Sequence, residues 1–294
     1  GSSRLMISEV ASNAAIGGVF GLLIGSFLNV VIHRLPRMME QEWNAEGAQW
    51  VEEQVEKGAQ IQLPPAAEPI TLSKPRSRCP HCGHQIAWYE NIPVLSYLFL
   101  RGRCAECKNP ISLRYPVVEL VCAALFAFCL SRDGLTPTGF AWCGFSAALL
   151  ALALIDWDTT FLPDSMTLPL LWAGLIASAL QWTAVPLSQS LWGAVAGYMS
   201  LWLIFWAFKL ATGKEGMGYG DFKLFAALGA WFGWQALVPI ILMASVVGAI
   251  IGVALKINSK LREGGYVPFG PFLAGGGFVS LIWGPQSVLS WVGL

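Results

Sequence analysis

Eight predominantly apolar stretches recur along this chain, and several are long enough for a helix to cross a lipid bilayer, which takes roughly 20 residues. They lie near residues 14–32, 116–130, 139–155, 166–182, 191–208, 222–234, 236–255 and 269–294. Only 12% of the residues are charged, against roughly 25% in soluble domains. No stretch shows a broad polar face, which disfavours a large soluble helical core. Because lipid cannot pair bare backbone groups, the sequence predicts an all-α polytopic membrane protein with about eight transmembrane helices.

The basic residues predict the orientation of these helices, because Lys and Arg accumulate on the cytoplasmic side. With the N-terminus outside, 16 of the 18 basic residues fall in cytoplasmic segments, and only Arg4 and Arg132 remain outside. The short loops alone give six against one. This topology predicts a first transmembrane helix in residues 1–33, a cytoplasmic domain in residues 34–115 and a multi-span membrane core in residues 116–294. Within the cytoplasmic domain, residues 38–65 are rich in Glu, Gln and Ala and are expected to form a surface helix.

Four cysteines in the cytoplasmic domain have the spacing of a zinc site. Cys79 and Cys82 form one C-x2-C pair, Cys104 and Cys107 form another, and 21 residues separate the pairs. Each pair places two thiolates at a tight turn, and two such turns make a tetrahedral, all-sulfur cage for Zn²⁺. Four thiolates leave no open coordination position, so the predicted zinc is structural and the module resembles a zinc ribbon. Two disulfides are the alternative, which a reducing cytoplasm disfavours.

Two aspartates stand at the cytoplasmic ends of predicted membrane helices. Asp156 ends one apolar stretch, and Asp221 opens another. Ionisable groups at membrane depth are costly and usually functional. Two carboxylates brought together cannot both ionise easily, so they can share a proton as the pair in an aspartic protease does. The alternative, that both acids are interfacial helix caps, stays open on the residues alone.

Further residues around these aspartates are candidates for supporting roles. Gly218 and Gly220 precede Asp221 and would let the backbone approach a bound peptide closely. Asp158 and Asp164 lie near Asp156, and each is either a supporting residue or a simple helix cap. Asp158 is the closest rival to Asp156 as a catalytic acid, since it lies only two residues away.

Other functions can be compared with this interpretation of the chain as an aspartyl peptidase. The chain contains no H-E-x-x-H motif, which argues against a zinc metalloprotease. A transporter could use intramembrane carboxylates as ion ligands, but transport sites usually lie near the bilayer midplane on broken helices. A zinc-ribbon membrane scaffold is the third possibility, and it would not need the Gly-x-Gly-Asp sequence that ends at Asp221.

The sequence closely resembles the type IV prepilin peptidases, the bifunctional leader peptidase/N-methyltransferases of bacterial type IV pilus and type II secretion systems. The match covers nearly the whole chain and includes both cysteine pairs and the Asp156 segment. It also includes the strings GSFLNVV at 25–31, HRLP at 33–36, ENIP at 90–93, RYPVVEL at 114–120, EGMGYGD at 215–221 and PFGP at 268–271.

This resemblance implies that Asp156 and Asp221 are the catalytic pair, the second within a G-x-G-D motif. It implies prepilin and pseudopilin substrates, cut after a Gly on the cytoplasmic face of the bacterial inner membrane. The new N-terminal residue would then be methylated with S-adenosylmethionine. Membrane lipids are expected partners, and nucleic acid is not. No glycine-rich nucleotide loop is visible, so the sequence does not locate the methyl-donor site.

Overall fold

The structure is a computed structural model that describes residues 2–56, 69–258, 267–291 and 293. Within these ranges the chain forms helices, turns and two isolated β-bridges, without a β-strand. The helices are α1 Ser2–Glu56, α2 Leu95–Phe99, α3 Arg114–Asp133, α4 Pro137–Thr159, α5 Asp164–Ala179, α6 Leu187–Thr212, α7 Tyr219–Phe232, α8 Leu237–Ile257, α9 Gly270–Trp283 and α10 Pro285–Trp291. The predicted all-α membrane architecture is therefore confirmed.

Each of the eight predicted apolar stretches contains a helix, but not every helix is long enough to cross a bilayer. Among the described residues, five helices are long and apolar enough to cross a membrane, or six if α9 and α10 form one span bent by 109°. Helix α7 has only 14 residues, which at 1.5 Å per residue gives about 21 Å against a hydrocarbon core of about 30 Å. Helix α5, with 16 residues, is similarly short. The predicted number of eight spans is thus not confirmed.

Helix α1 is longer than the sequence pattern suggested. It runs for 55 residues and continues through Pro36, although proline in a helix interior usually removes a hydrogen bond and bends or ends the helix. The surface helix predicted for residues 38–65 is therefore, as far as Glu56, a continuation of the first membrane helix. Residues 57–65 lie outside the described part of the chain.

The chain divides into two compact units, of which one comprises the residues up to Gly17 together with all those from Leu125 onward. At its centre lies α7, in which 11 of 14 residues are buried. Gly193 of α6 and Gly229 of α7 face each other so closely that a side chain on either would collide with the backbone of the other. Small residues allow membrane helices to approach in this way. The backbone contact fixes α7, and hence its first turn, against α6.

A layer of aromatic side chains packs α4 against α7 in the same unit. Trp142 and Phe145 of α4 contact Trp231 and Phe232 of α7, with ring centroids 5.0–5.4 Å apart. The Trp231 indole also donates a hydrogen bond to the Leu170 carbonyl of α5, at 2.8 Å. These contacts lie near the start of α4 and the end of α7. The two helices run in opposite directions, so the end of α4 lies near the start of α7.

The second unit comprises Gly18–Ala124 and contains the cysteines of the predicted zinc site. Within it, α1 packs closely on α3, because a Cβ on Gly25 would lie 2.7 Å from the Cα of Glu119. The Arg34 guanidinium of α1 donates hydrogen bonds to the carbonyls of Thr71 and Pro75, at 2.9 and 2.6 Å. These contacts attach the polar segment to α1. The predicted domain boundaries at residues 33 and 115 stay a prediction.

Candidate active site and zinc site

The two aspartates predicted from the sequence lie at the ends of buried helices. Asp156 is in the last turn of α4, which ends where Thr160 takes a left-handed conformation and donates its N–H to the Asp156 carbonyl. Asp221 is in the first turn of α7. Each aspartate is only 4% exposed, although a carboxylate is rarely buried without a compensating partner. The surroundings of each carboxylate therefore have to supply hydrogen bonds.

The Asp156 carboxylate receives a hydrogen bond from the main chain of another helix. The Gly270 N–H, at the start of α9, donates to Asp156 Oδ2 at 2.9 Å. A Cβ at residue 270 would lie 3.0 Å from the Asp156 Cγ and would also collide with Oδ2. The backbone can approach the carboxylate only because residue 270 has no side chain. The sequence singled out the PFGP string but did not reveal this contact.

The Asp221 carboxylate is held within its own turn. The Gly218 N–H donates to Asp221 Oδ2 at 3.3 Å, and the Asp221 N–H donates to the Gly218 carbonyl at 3.2 Å. Gly220 has a steric reason to be glycine, since a Cβ there would lie 2.8 Å from the Leu162 Cβ. At Gly218 a Cβ would meet nothing closer than 4.0 Å. The role predicted for these glycines, close approach to a bound peptide, stays a prediction.

The two carboxylates act on each other. A Cβ on Gly220, beside Asp221, and a Cβ on Gly270, which contacts Asp156, would both touch Leu162, so the two carboxylates lie near the same side chain and their charges would repel. In a buried site, a single proton shared between two acids relieves this repulsion. The arrangement can therefore offer one ionised carboxylate and one protonated carboxyl at the same time, as general acid–base catalysis requires.

The two other acids named from the sequence are more exposed. Asp164 opens α5, and both its oxygens lie 2.7 Å from Nζ of Lys223, which is two residues after Asp221 in α7. This ion pair ties the start of α5 to the turn that carries Asp221. Asp158 lies exposed in the last turn of α4. Supporting roles for Asp158 and Asp164 stay predictions.

The four cysteines of the second unit come together as predicted. Their Sγ atoms all lie within 4.8 Å of one another. The separations are 3.8 Å between Cys79 and Cys107 and 3.9 Å between Cys82 and Cys104. Tetrahedral Zn²⁺ with Zn–S bonds of about 2.3 Å requires sulfur atoms about 3.8 Å apart. The donor set and its spacing therefore fit zinc, and none of the seven cysteines is in a disulfide.

Two similar turns build this cluster. The Cys79 N–H donates to the His84 carbonyl and the Gly83 N–H to the Cys79 carbonyl, at 2.8 and 2.9 Å. In the second turn the Cys104 N–H donates to the Asn109 carbonyl at 2.9 Å, and Lys108 takes the left-handed conformation that Gly83 takes in the first. Backbone hydrogen bonds, chiefly from Cys82, lower the pKa of the Cys79 thiol to about 6, which favours the thiolate that a metal needs.

His84, beside the first cysteine turn, pairs with a carboxylate. Its Nε2 lies 3.1 Å from Oε2 of Glu90, and the Ala87 N–H donates to the same oxygen at 2.7 Å. The Ala87 N–H and then His84 hold the pKa of Glu90 below its usual value. The pair joins the first cysteine turn to the short 3₁₀ helix Trp88–Asn91.

A cavity of about 630 Å³ lies inside the second unit. Its walls come from α1 between Ser26 and Arg37, from both cysteine turns and from the first turns of α3 as far as Glu119. No local sequence pattern predicts this cavity, because its walls come from segments up to 93 residues apart in the chain.

Residues 19–132 match the bacterial peptidase A24 N-terminal domain, and residues 143–253 match the type IV leader peptidase family. The chain belongs to the type IV leader peptidase family. This confirms the resemblance stated from the sequence motifs. The four cysteines lie in the first matched region and both buried aspartates in the second, whereas Gly270 lies outside both.

Relatives with known names are similar over almost their whole length. A prepilin leader peptidase/N-methyltransferase of Stutzerimonas stutzeri is 50% identical over 274 residues, which cover 93% of this chain and 92% of the relative. Proteins of the same name from Pseudomonas aeruginosa strain PAO1 and Aeromonas hydrophila are also 50% identical, over 268 and 278 residues. These alignments cover 91% and 93% of this chain, and 89% and 91% of the relatives. No solved structure matches the chain.

We expect the purified protein to contain about one Zn²⁺ per chain, because four thiolates at tetrahedral spacing bind zinc tightly. Cys104→Ser should lower the zinc content strongly and make the cysteine module sensitive to protease, since such modules depend on their metal to fold. Cys143→Ala, at a buried cysteine of the other unit, should retain the metal. Elemental analysis of freshly purified, unchelated protein is the measurement, and a metal-free wild type would contradict the assignment.

Proposed function

We propose that this protein is a prepilin leader peptidase and N-methyltransferase, an aspartyl endopeptidase that uses Asp156 and Asp221. The observation that carries the proposal is the pair of buried carboxylates, held by N–H groups of Gly270 and Gly218, in a chain half identical to relatives of that name. The substrates would be prepilins and pseudopilins, cut after the Gly that ends their leader. The family membership favours this reading over a carboxylate-based transporter or a zinc-ribbon scaffold.

The geometry supports a division of roles within the pair. The hydrogen bond from the Gly270 N–H stabilises the ionised form of Asp156, so we assign Asp156 as the base that takes a proton from water. Asp221, whose hydrogen bond from Gly218 is longer, then carries the proton that it donates to the scissile carbonyl oxygen. The resulting tetrahedral intermediate breaks its C–N bond when Asp156 passes its new proton to the leaving amine, and a hydroxyl of the intermediate returns a proton to Asp221 as the carbonyl re-forms.

Methylation of the new N-terminus would use S-adenosylmethionine, which supplies an electrophilic methyl group. The zinc site fits a structural role in this activity rather than a chemical one. Four thiolates fill the tetrahedral coordination, so the metal has no position left for substrate or water. Cys79, Cys82, Cys104 and Cys107 would instead hold the turns that line the cavity of the second unit.

The membrane setting follows from the apolar helices and the charges between them. Exposed apolar side chains such as Val246, Ile250 and Val253 of α8 would contact lipid of the bacterial inner membrane. The distribution of basic residues supports an external N-terminus, with the zinc module and the aspartates each on the cytoplasmic side.

Asp156→Asn and Asp221→Asn should each reduce cleavage of a prepilin-like peptide by at least about 100-fold, because an amide can neither accept nor donate the proton that the mechanism moves. Asp158→Asn and Asp164→Asn should have milder effects, since both side chains are exposed. Peptidase assays in detergent, with zinc content as the folding control, measure this. An active Asp156→Asn beside an inactive Asp158→Asn would show that the first catalytic acid is wrongly assigned, and four active variants would refute the aspartyl mechanism.

Gly270→Ala should slow cleavage by roughly 10-fold to 100-fold, because the added methyl group displaces the Asp156 carboxylate and misplacement of a reacting group by about 1 Å can cost that much. Gly275→Ala is the matched control, since it lies in the same helix and its Cβ would meet nothing within 4 Å. The measurement is kcat of both variants on the same peptide. Equal rates for the two would mean that the Gly270 contact has no part in catalysis.

The orientation predicts which loops a membrane-impermeant thiol reagent reaches in spheroplasts. Leu135→Cys, in the loop between α3 and α4, should be labelled, whereas Lys214→Cys, between α6 and α7, should react only after the membrane is opened. The wild type, treated with the same reagent, gives the background labelling of the native thiols. Labelling of position 214 but not of position 135 in intact spheroplasts would reverse the proposed sidedness.

A further inference from the structure

The cavity of the second unit has the size of a small-molecule site. Its volume of about 630 Å³ lies in the middle of the range for ligand pockets, roughly 300–1,000 Å³. All of its walls belong to the compact unit Gly18–Ala124, so no residue of the aspartate pair contributes to it. The cavity is therefore a candidate site for a ligand other than the peptide bond that the aspartates would cut.

A buried carboxylate forms part of its wall. Glu119 is only 8% exposed, and its Oε2 accepts a hydrogen bond from the Val94 N–H at 2.8 Å. The Ser26 side chain supplies a second hydrogen bond. Val94 reaches this position with a φ of 60°, which is unusual for a β-branched residue. The two hydrogen bonds orient the carboxylate, and they leave acceptor positions on its oxygens for a further partner.

The rest of the wall combines basic and apolar groups. Arg37 and Arg76 add positive charge, and Val30, Ile86 and Ile111 add apolar surface. A ligand that suits this lining would carry a cation for the buried carboxylate, an anion for an arginine and a flat apolar part for the aliphatic side chains.

S-Adenosylmethionine has these three features: a sulfonium and an ammonium group, a carboxylate, and an adenine ring. We propose that this cavity binds S-adenosylmethionine, with the Glu119 carboxylate facing its positively charged groups. The inference rests on the proposed methyltransferase function, and it locates the donor site that no sequence motif reveals. It also gives the closed zinc site a purpose, since the turns of Cys79 and Cys104 form one wall of the cavity.

Equilibrium dialysis of the full-length protein in detergent with methyl-tritiated S-adenosylmethionine tests the site. Glu119→Gln keeps an acceptor for the Val94 N–H but removes the negative charge, so the Kd should rise about tenfold, as for a lost charge-assisted hydrogen bond. Val30→Trp should fill the cavity and abolish binding. Leu23→Trp, two turns earlier on α1 and exposed outside the cavity, should bind as the wild type does. Zinc content and peptide cleavage should be unchanged in all three variants.

The outcomes separate this inference from the proposed function. A wild type that cleaves prepilin but does not bind the donor would overturn the methyltransferase function itself. If the wild type binds the donor and the Glu119→Gln and Val30→Trp variants bind it equally well, only the proposed location of the donor site is overturned. Ultraviolet crosslinking of the labelled donor to the wild type gives a second measurement that does not depend on any variant. Labelled peptides from residues 18–124 would support the site, and labelled peptides only from residue 125 onward would refute it.

Discussion

The burial of two carboxylates at the ends of apolar helices is the constraint on which the membrane unit depends. A buried charge without partners is costly, and this unit meets that cost with main-chain N–H groups. Gly270 donates to Asp156 from the start of α9, and Gly218 donates to Asp221 from the turn before α7. Backbone donors are well suited to this role because the helices fix them, so the carboxylates keep their positions.

The packing of the helices follows from the same requirement. Helix α7 is too short to cross a bilayer alone and is buried along most of its length, and its first turn carries Asp221. The contact between Gly193 and Gly229 sets its distance from α6, and the aromatic layer around Trp231 holds its other end against α4. The ion pair between Asp164 and Lys223 adds a third attachment beside Asp221. Residues distant from the proposed reaction thus determine the positions of the two aspartates.

The second unit differs from the first, because its polar segment buries few apolar side chains. Two hydrogen-bonded turns bring four thiols to the spacing that zinc requires. A bound metal would then stabilise the segment in place of a hydrophobic core. The hydrogen bonds of Arg34 attach the segment to α1, and the pair of His84 and Glu90 joins the first turn to the neighbouring 3₁₀ helix. This rigid framework leaves a cavity between the turns, α1 and α3, which a flexible loop could not keep open.

Local patterns in the sequence determined the helical class, the cysteine cluster and the positions of Asp156 and Asp221 at helix ends, because hydropathy and ligand spacing act over short stretches of chain. Tertiary structure alone decided which backbone group meets which carboxylate: the contact between Gly270 and Asp156 joins residues 114 positions apart. It also decided that α1 continues through Pro36 and that Glu119 faces a cavity. The contact of Gly270 and the cavity both join segments that are distant in the chain, and no local pattern of residues encodes the distance between two helices.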